Sequence, residues 1–133
     1  MSLTLILPWI AGGLIAIYLL TTATQDIATK ISWKVPALAS CTFLLWSLVA
    51  VVLEGPFGFW PVHIGSLWNN QVWFDLLLAV SIGWTAMLPA ARGLGMRLLP
   101  WAIITLLTGC IGLTAMAARL LWLRENHPQA QAT

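Results

Sequence analysis

Two long apolar stretches joined by a short turn with two arginines make up the last third of the chain. Residues 72–91 are mostly apolar, residues 92–97 form the arginine-bearing turn, and residues 98–123 are again mostly apolar. A helix of about 20 apolar residues is long enough to cross the hydrocarbon core of a bilayer. This pattern predicts a transmembrane helical hairpin, with the preceding segments packed against it.

Charged residues are scarce throughout the sequence. Of 133 residues, 60% are apolar and 8% are charged, whereas soluble domains carry about 25% charged residues. Lipid is therefore the expected solvent for most of the chain. The nine tryptophans agree with this interpretation, because tryptophan favours the membrane–water interface. A net charge of +2 is too small and too scattered to indicate nucleic-acid binding.

The apolar segments and the turn residues between them predict an all-α integral membrane protein. We expect a single transmembrane domain over residues 1–133, built as a bundle of four transmembrane helices. The helices are predicted at about 3–24, 36–53, 71–91 and 98–123, with a polar tail at 124–133. Asn69 or Asn70 is expected to cap the third helix. The first segment lacks a basic region and a small-residue cleavage site, which favours a retained helix over a signal peptide.

The segment of residues 54–70 connects the second and third predicted helices and is rich in glycine, proline and aromatic residues. It is too broken to span a bilayer and too apolar to stay in water, so we expect an aromatic interfacial loop. His63, with Phe59, Trp60 and Trp68, is a candidate contact for a lipid or a pigment, and His63 could be the single axial ligand of a tetrapyrrole. The simpler interpretation is an interfacial histidine bonded to backbone or water, with no cofactor.

The distribution of basic residues gives an orientation. Lys30, Lys34, Arg92 and Arg97 fall in the first and third predicted loops and are expected to anchor phosphate headgroups. Two other basic residues, in the last helix and the tail, are predicted for the opposite side. Four against two favours cytoplasmic loops and two external termini, in a bacterial cytoplasmic (inner) membrane.

Small residues recur at helical spacing on the third and fourth predicted helices, which favours close packing of the two in lipid. Asp75 and Arg119 lie on these two stripes. Because charges within membrane spans usually find partners, they are predicted to form a structural ion pair. The alternative is that Asp75 serves the positive N-terminal end of its helix while Arg119 extends to the headgroups.

No reactive constellation is visible in the sequence. Metal-ligand clusters, a nucleophile–base pair and a phosphate-binding glycine motif are all missing from it. We therefore predict a non-enzymatic protein, an accessory or structural subunit of a larger membrane complex, with lipid and other membrane subunits as partners. One alternative is a pigment- or lipid-binding module using residues 54–70. Another is an oligomeric small transporter, for which Asp75 is the only plausible coupling group.

A set of short motifs lies in the C-terminal half of the chain. They are Asp75-Leu76, the turn Arg92-X-Leu94-Gly95-Met96, Trp101, Gly109, Gly112 and the ending Leu123-Arg124-Glu125. Residues 70–126 thereby resemble a bacterial domain-of-unknown-function family of small integral membrane proteins. The chain departs from that family's pattern at Ala90 and Ala91, where an acidic residue usually stands, and at residues 113–117 of the last helix, which read Leu-Thr-Ala-Met-Ala where the family tends to have a proline. The resemblance implies a bacterial membrane location and no particular chemistry.

Overall fold

A computed structural model of the protein describes residues 3–24 and 31–126. The chain divides into two compact units, residues 1–31 and residues 32–133. Every regular element in the described ranges is an α-helix. The all-helical class predicted from the sequence is therefore confirmed.

The described part of the first unit contains one helix, α1, over Leu3–Thr24. At 1.5 Å per residue it is about 33 Å long, enough to cross a bilayer. The hydroxyls of Thr21 and Thr22 each donate to the carbonyl oxygen four residues earlier, at 2.8 Å. These bonds satisfy the two polar side chains within the helix itself.

Five helices lie in the second unit over residues 32–126, the part of it that the structure describes. They are α2 (Lys34–Glu54), α3 (Phe59–Ile64), α4 (Leu67–Gly93), α5 (Leu98–Thr108) and α6 (Cys110–Asn126). Among the described residues, three helices are long and apolar enough to cross a membrane: α1, α2 and α4. The fourth helix predicted at residues 98–123 differs, since it consists of two shorter helices.

The break in that fourth helix lies at Gly109, whose φ of +60° is readily adopted only by glycine. Thr105 and Gly112 would be about 10 Å apart in a continuous helix. Instead, a Cβ built on Gly112 would lie 2.8 Å from the Thr105 Cα. The chain therefore folds back sharply, and α5 and α6 form a tight hairpin. At 1.5 Å per residue α5 is about 17 Å long, roughly half the thickness of the hydrocarbon core.

Helix α6 lies at the centre of the second unit. Met116 and Leu120 on α6 form the core with Ala91 at the end of α4, and their exposed fractions are 0%, 5% and 0%. Side chains from α4, the α4–α5 turn, α5 and α6 surround this core: Trp84, Met87, Ala90, Leu94, Met96, Leu98, Trp101 and Leu121. The hairpin at Gly109 allows this arrangement, because it brings the start of α5 and the end of α6 to the same level.

Helix α2 runs antiparallel to α6. The Trp33 backbone N–H, at the start of α2, donates to a Glu125 carboxylate oxygen near the end of α6 at 3.3 Å. Further along α2, the buried Ser40 hydroxyl donates to the Ile111 carbonyl near the start of α6 at 2.9 Å. The N-terminal end of α2 and the C-terminal end of α6 therefore lie together.

Helix α4 runs parallel to α6. A Cβ built on Gly83 would lie 2.8 Å from a Leu113 methyl group near the start of α6, and Ala91 packs with Leu120 near its end. In the predicted hairpin, the last helix runs antiparallel to the third. The Gly109 hairpin reverses this relation.

The starts of two helices also differ from the sequence prediction. Helix α4 begins at Leu67, four residues earlier than expected, and its cap is Ser66 rather than Asn69 or Asn70. The Ser66 hydroxyl accepts the Asn69 backbone N–H at 3.2 Å. Helix α2 begins at Lys34 rather than residue 36. Both starts lie beside a tryptophan, Trp33 or Trp68, so the sequence pattern did not distinguish the first helical residue from the connection before it.

The contact between Gly112 and the backbone of α5 gives a first testable prediction. The Gly112→Ala variant places a methyl group against main-chain atoms, which cannot rotate away, so we expect a loss of about 1–3 kcal/mol of stability. Gly93→Ala is the matched control, because a Cβ there meets no atom within 4 Å. Thermal unfolding in detergent measures both variants. Equal stability of Gly112→Ala and the wild type would contradict the tight hairpin.

Candidate functional site

The segment predicted as an aromatic loop contains a short helix. Gly55, with φ +84°, ends α2 and donates its backbone N–H to the Val51 carbonyl. After one turn the chain forms α3 over Phe59–Ile64, and Ser66 then begins α4. The connection is therefore regular over much of its length, which leaves fewer free backbone groups than an open loop.

An aromatic cluster, made of Phe59, His63 and Trp73, joins α3 to α4. The Phe59 and Trp73 rings are stacked, with centroids 6.2 Å apart and planes 27° apart. The His63 ring lies 4.7 Å from the Trp73 ring and 6.0 Å from the Phe59 ring. Such aromatic pairs stabilise by roughly 0.5–1.5 kcal/mol beyond the area that they bury. The cluster is therefore a specific attachment of α3 to α4.

A polar contact supports the same attachment. The side-chain amide of Asn70 donates to the His63 backbone carbonyl at 3.1 Å. This bond fixes the C-terminal turn of α3 against the first turn of α4. The predicted capping residue Asn70 thus has a different function, which is to hold α3.

Exposed aromatic and aliphatic side chains surround this attachment. Phe57, Leu67 and Trp68 have exposed fractions of 77%, 89% and 81%. Trp60, which packs edge to face with Phe59, is half exposed. We call these four residues the apolar rim. It occupies the same end of the second unit as the C-terminal end of α2.

The structure brings together part of the predicted pigment or lipid contact. Phe59 and Trp60 lie beside each other, and Phe59 contacts His63. Trp68 points elsewhere and contacts none of these rings in the described structure. The ring that packs most closely on His63 is Trp73, which sequence reasoning missed. The sequence signal that could have identified Trp73 was its position one turn after Asn70, on the helix that follows the aromatic segment. Ligation by His63 stays a prediction.

The structure does not bring Asp75 and Arg119 together. Asp75 accepts a hydrogen bond from the Gln71 side-chain amide at 3.3 Å, and the Arg119 guanidinium lies 4.5 Å from the Trp122 ring centroid. Because α4 and α6 are parallel and level at Gly83 and Leu113, the two charges are separated by about 21 Å along the helices. The predicted pair assumed an antiparallel hairpin, which the break at Gly109 replaces.

The predicted headgroup anchors Lys34, Arg92 and Arg97 are all exposed. Lys30 lies outside the described residues. Arg92 and Arg97 flank the turn between α4 and α5, in which Gly95 has φ +67° and the Met96 backbone N–H donates to the Ala91 carbonyl at 3.0 Å. This turn fixes where both arginines leave the helices. Their binding to headgroups stays a prediction.

Reactive side chains are dispersed in the part of the chain that the structure describes. No group of three histidine, cysteine, aspartate or glutamate residues there could hold a metal ion. Cys41 and Cys110 are both free thiols, one exposed and one partly buried.

The aromatic cluster gives a second testable prediction. Trp73→Ala removes the ring that packs on both Phe59 and His63, so we expect α3 to detach from α4 and protease cleavage within residues 55–66 to increase several-fold. Trp68→Ala is the matched control, because Trp68 is exposed and outside the cluster. Limited proteolysis of intact membranes measures both. Equal cleavage of the two variants would show that the cluster does not hold α3.

Comparison of the chain with protein-family models, with curated proteins and with solved structures found no match.

Proposed function

We propose that this protein is a non-enzymatic integral protein of the bacterial inner membrane that serves as an accessory subunit of a larger membrane complex. The observation that carries the proposal is the apolar rim on a fixed support. Trp60 lies on α3 and Leu67 and Trp68 lie on α4, and these two helices are packed together. Phe57 lies in the turn just before α3. Aromatic residues are enriched in protein–protein interfaces, where rigid rings give large contact area at low entropy cost.

The chemistry of the rim supports a membrane partner rather than a soluble one. Its exposed side chains are apolar or tryptophan, and the carboxylates of the same half, Glu54 on α2 and Asp75 on α4, are not part of it. At the level of the interface such side chains can contact both headgroups and the aromatic belt of another membrane protein. The resemblance of residues 70–126 to a bacterial membrane family supports the same location.

Purification in mild detergent tests the accessory function. We expect the tagged full-length protein to co-purify with one or more membrane proteins in constant ratio. The double variant Phe57→Ala, Trp68→Ala should lose these partners while keeping its thermal stability, because both residues are exposed.

Val52→Ala is the matched control, since Val52 is also exposed, at 82%, but lies on α2 outside the rim. It should retain the partners. A wild-type protein that purifies as a single, partner-free species would overturn the proposal.

The orientation that we propose differs from the sequence-based one at the C-terminus. The hydrogen bond between Trp33 and Glu125 supports a tail on the same side as the first loop. The basic residues of α6 are then added to those of the loops, so the positive-inside rule favours a cytoplasmic tail. The external N-terminus predicted from the sequence is retained. Helices α5 and α6 would enter and leave the membrane from the cytoplasmic side, with α6 packed against α2, α4 and α5.

Reporter insertion tests this orientation. An enzyme active only in the cytoplasm, fused after Thr133, should be active, and one active only in the periplasm should be inactive at the same position. The control is the same pair of reporters inserted after Gly55 in the full chain, where the opposite result is expected. A periplasm-specific signal after Thr133 would restore the arrangement of four complete spans.

A further inference from the structure

One end of the second unit carries all of its described basic side chains. We call this surface the basic end, and it consists of Lys34, Arg92, Arg97, Arg119 and Arg124. All five side chains are exposed. They come from α2, from the last turn of α4, from the start of α5 and from α6, so only the fold brings them together.

Lys34 and Arg124 are placed together by the contact between α2 and α6. Each is the sequence neighbour of a residue in the hydrogen bond from the Trp33 backbone to the Glu125 carboxylate, which measures 3.3 Å. That bond gives α2 an acceptor at its positive N-terminal end, where the Trp33 side chain supplies no cap. The carboxylate thereby has a structural role at the centre of the basic end.

The three other arginines are placed by the core. The core residues Ala91 and Leu120 pack together. Arg92 directly follows Ala91 in the sequence, and Arg119 directly precedes Leu120. Arg97 lies between Met96 and Leu98, which both pack against the same core. The three arginine side chains therefore project from the surface at a similar level along the helix axes, near the C-terminal end of α4.

Charge is strongly asymmetric between the two ends of this unit. Among its described residues, the basic end has five positive side chains and one carboxylate, Glu125. The opposite half has the carboxylates Glu54 and Asp75 and no basic residue in the described ranges. Such a separation favours an anionic partner at the basic end, and it repels cations there.

Tryptophans identify the depth of this end. Trp33, Trp101 and Trp122 are all partly exposed and lie beside basic residues or beside the core that positions them. The Arg119 guanidinium lies over the Trp122 ring at 4.5 Å. Arginine stacked on an interfacial tryptophan is held at the level of the headgroups, with its remaining donors available for phosphate oxygens.

We propose that the basic end binds the headgroups of anionic phospholipids and that this binding stabilises the α5–α6 hairpin against α2 and α4. The five charges come from separate elements, so they repel one another when these elements pack together. A layer of negative headgroups lowers this repulsion and thereby stabilises the packed arrangement. The binding is electrostatic, so it must weaken as salt rises. This inference does not depend on the identity of a partner subunit or on which side of the membrane the basic end faces.

The experiment compares the full-length protein in nanodiscs of phosphatidylcholine alone and in nanodiscs that also contain phosphatidylglycerol. We expect the midpoint of thermal unfolding to rise with the phosphatidylglycerol fraction, and the rise to be largely lost in 1 M salt. The double variant Arg97→Gln, Arg124→Gln should unfold at a midpoint equal to or slightly above that of the wild type in phosphatidylcholine, because fewer like charges repel one another there. Its rise with phosphatidylglycerol should be smaller by roughly two-fifths, because two of five charges are removed.

The control double variant Glu54→Gln, Asp75→Asn removes charges from the opposite half and should keep the full wild-type rise. An unfolding midpoint that is the same in both lipids would overturn the proposal. A rise of equal size in the wild type and in the arginine variant would also overturn it, since the effect would then not come from the basic end.

Discussion

The close approach of Gly112 to the backbone of Thr105 determines the arrangement of the second unit. A helix pair in lipid gains little from hydrophobicity, so it depends on backbone approach at small residues. Gly109 permits the reversal, with φ +60°, and Gly112 permits the contact that follows it. Without both glycines, residues 98–126 would continue as one span and α6 would not reach the centre.

The reversal interrupts the helix and so removes hydrogen bonds from some polar groups. The surrounding helices provide partners for part of these groups. A helix break in lipid is tolerated only where protein covers it. Thr105, Ile111 and Gly112 are all buried, and the Ser40 hydroxyl of α2 donates to the Ile111 carbonyl. The Thr105 hydroxyl oxygen, however, is enclosed without a hydrogen-bond partner among the described residues. Tight packing at this position thus outweighs the cost of one buried, unsatisfied hydroxyl, which is about 1–3 kcal/mol.

The sequence predicted the helices well and their directions poorly, for a physical reason. Composition and the spacing of Gly and Pro locate apolar helices, because each helix satisfies its own backbone. The run from Leu98 to Leu123 is apolar on both sides of Gly109, so hydropathy alone cannot distinguish a span from a hairpin. The available signal was Arg119, a charge that is costly inside a complete span. The predicted Asp75–Arg119 pair explained that charge as part of a complete span, although the charge itself was evidence against one.

The same reversal explains why the site could be predicted only in part. Phe59, Trp60 and His63 are close in sequence, and a short helix keeps them close, so local reasoning was sufficient. The basic end requires α6 to return beside α2, which no local pattern of Lys34 or Arg124 reveals. Once Glu125 accepts the Trp33 N–H, every described basic residue of the second unit shares one end. A single glycine conformation thereby converts a weak charge bias into a strong one, and it does so without changing the number of charges in the chain.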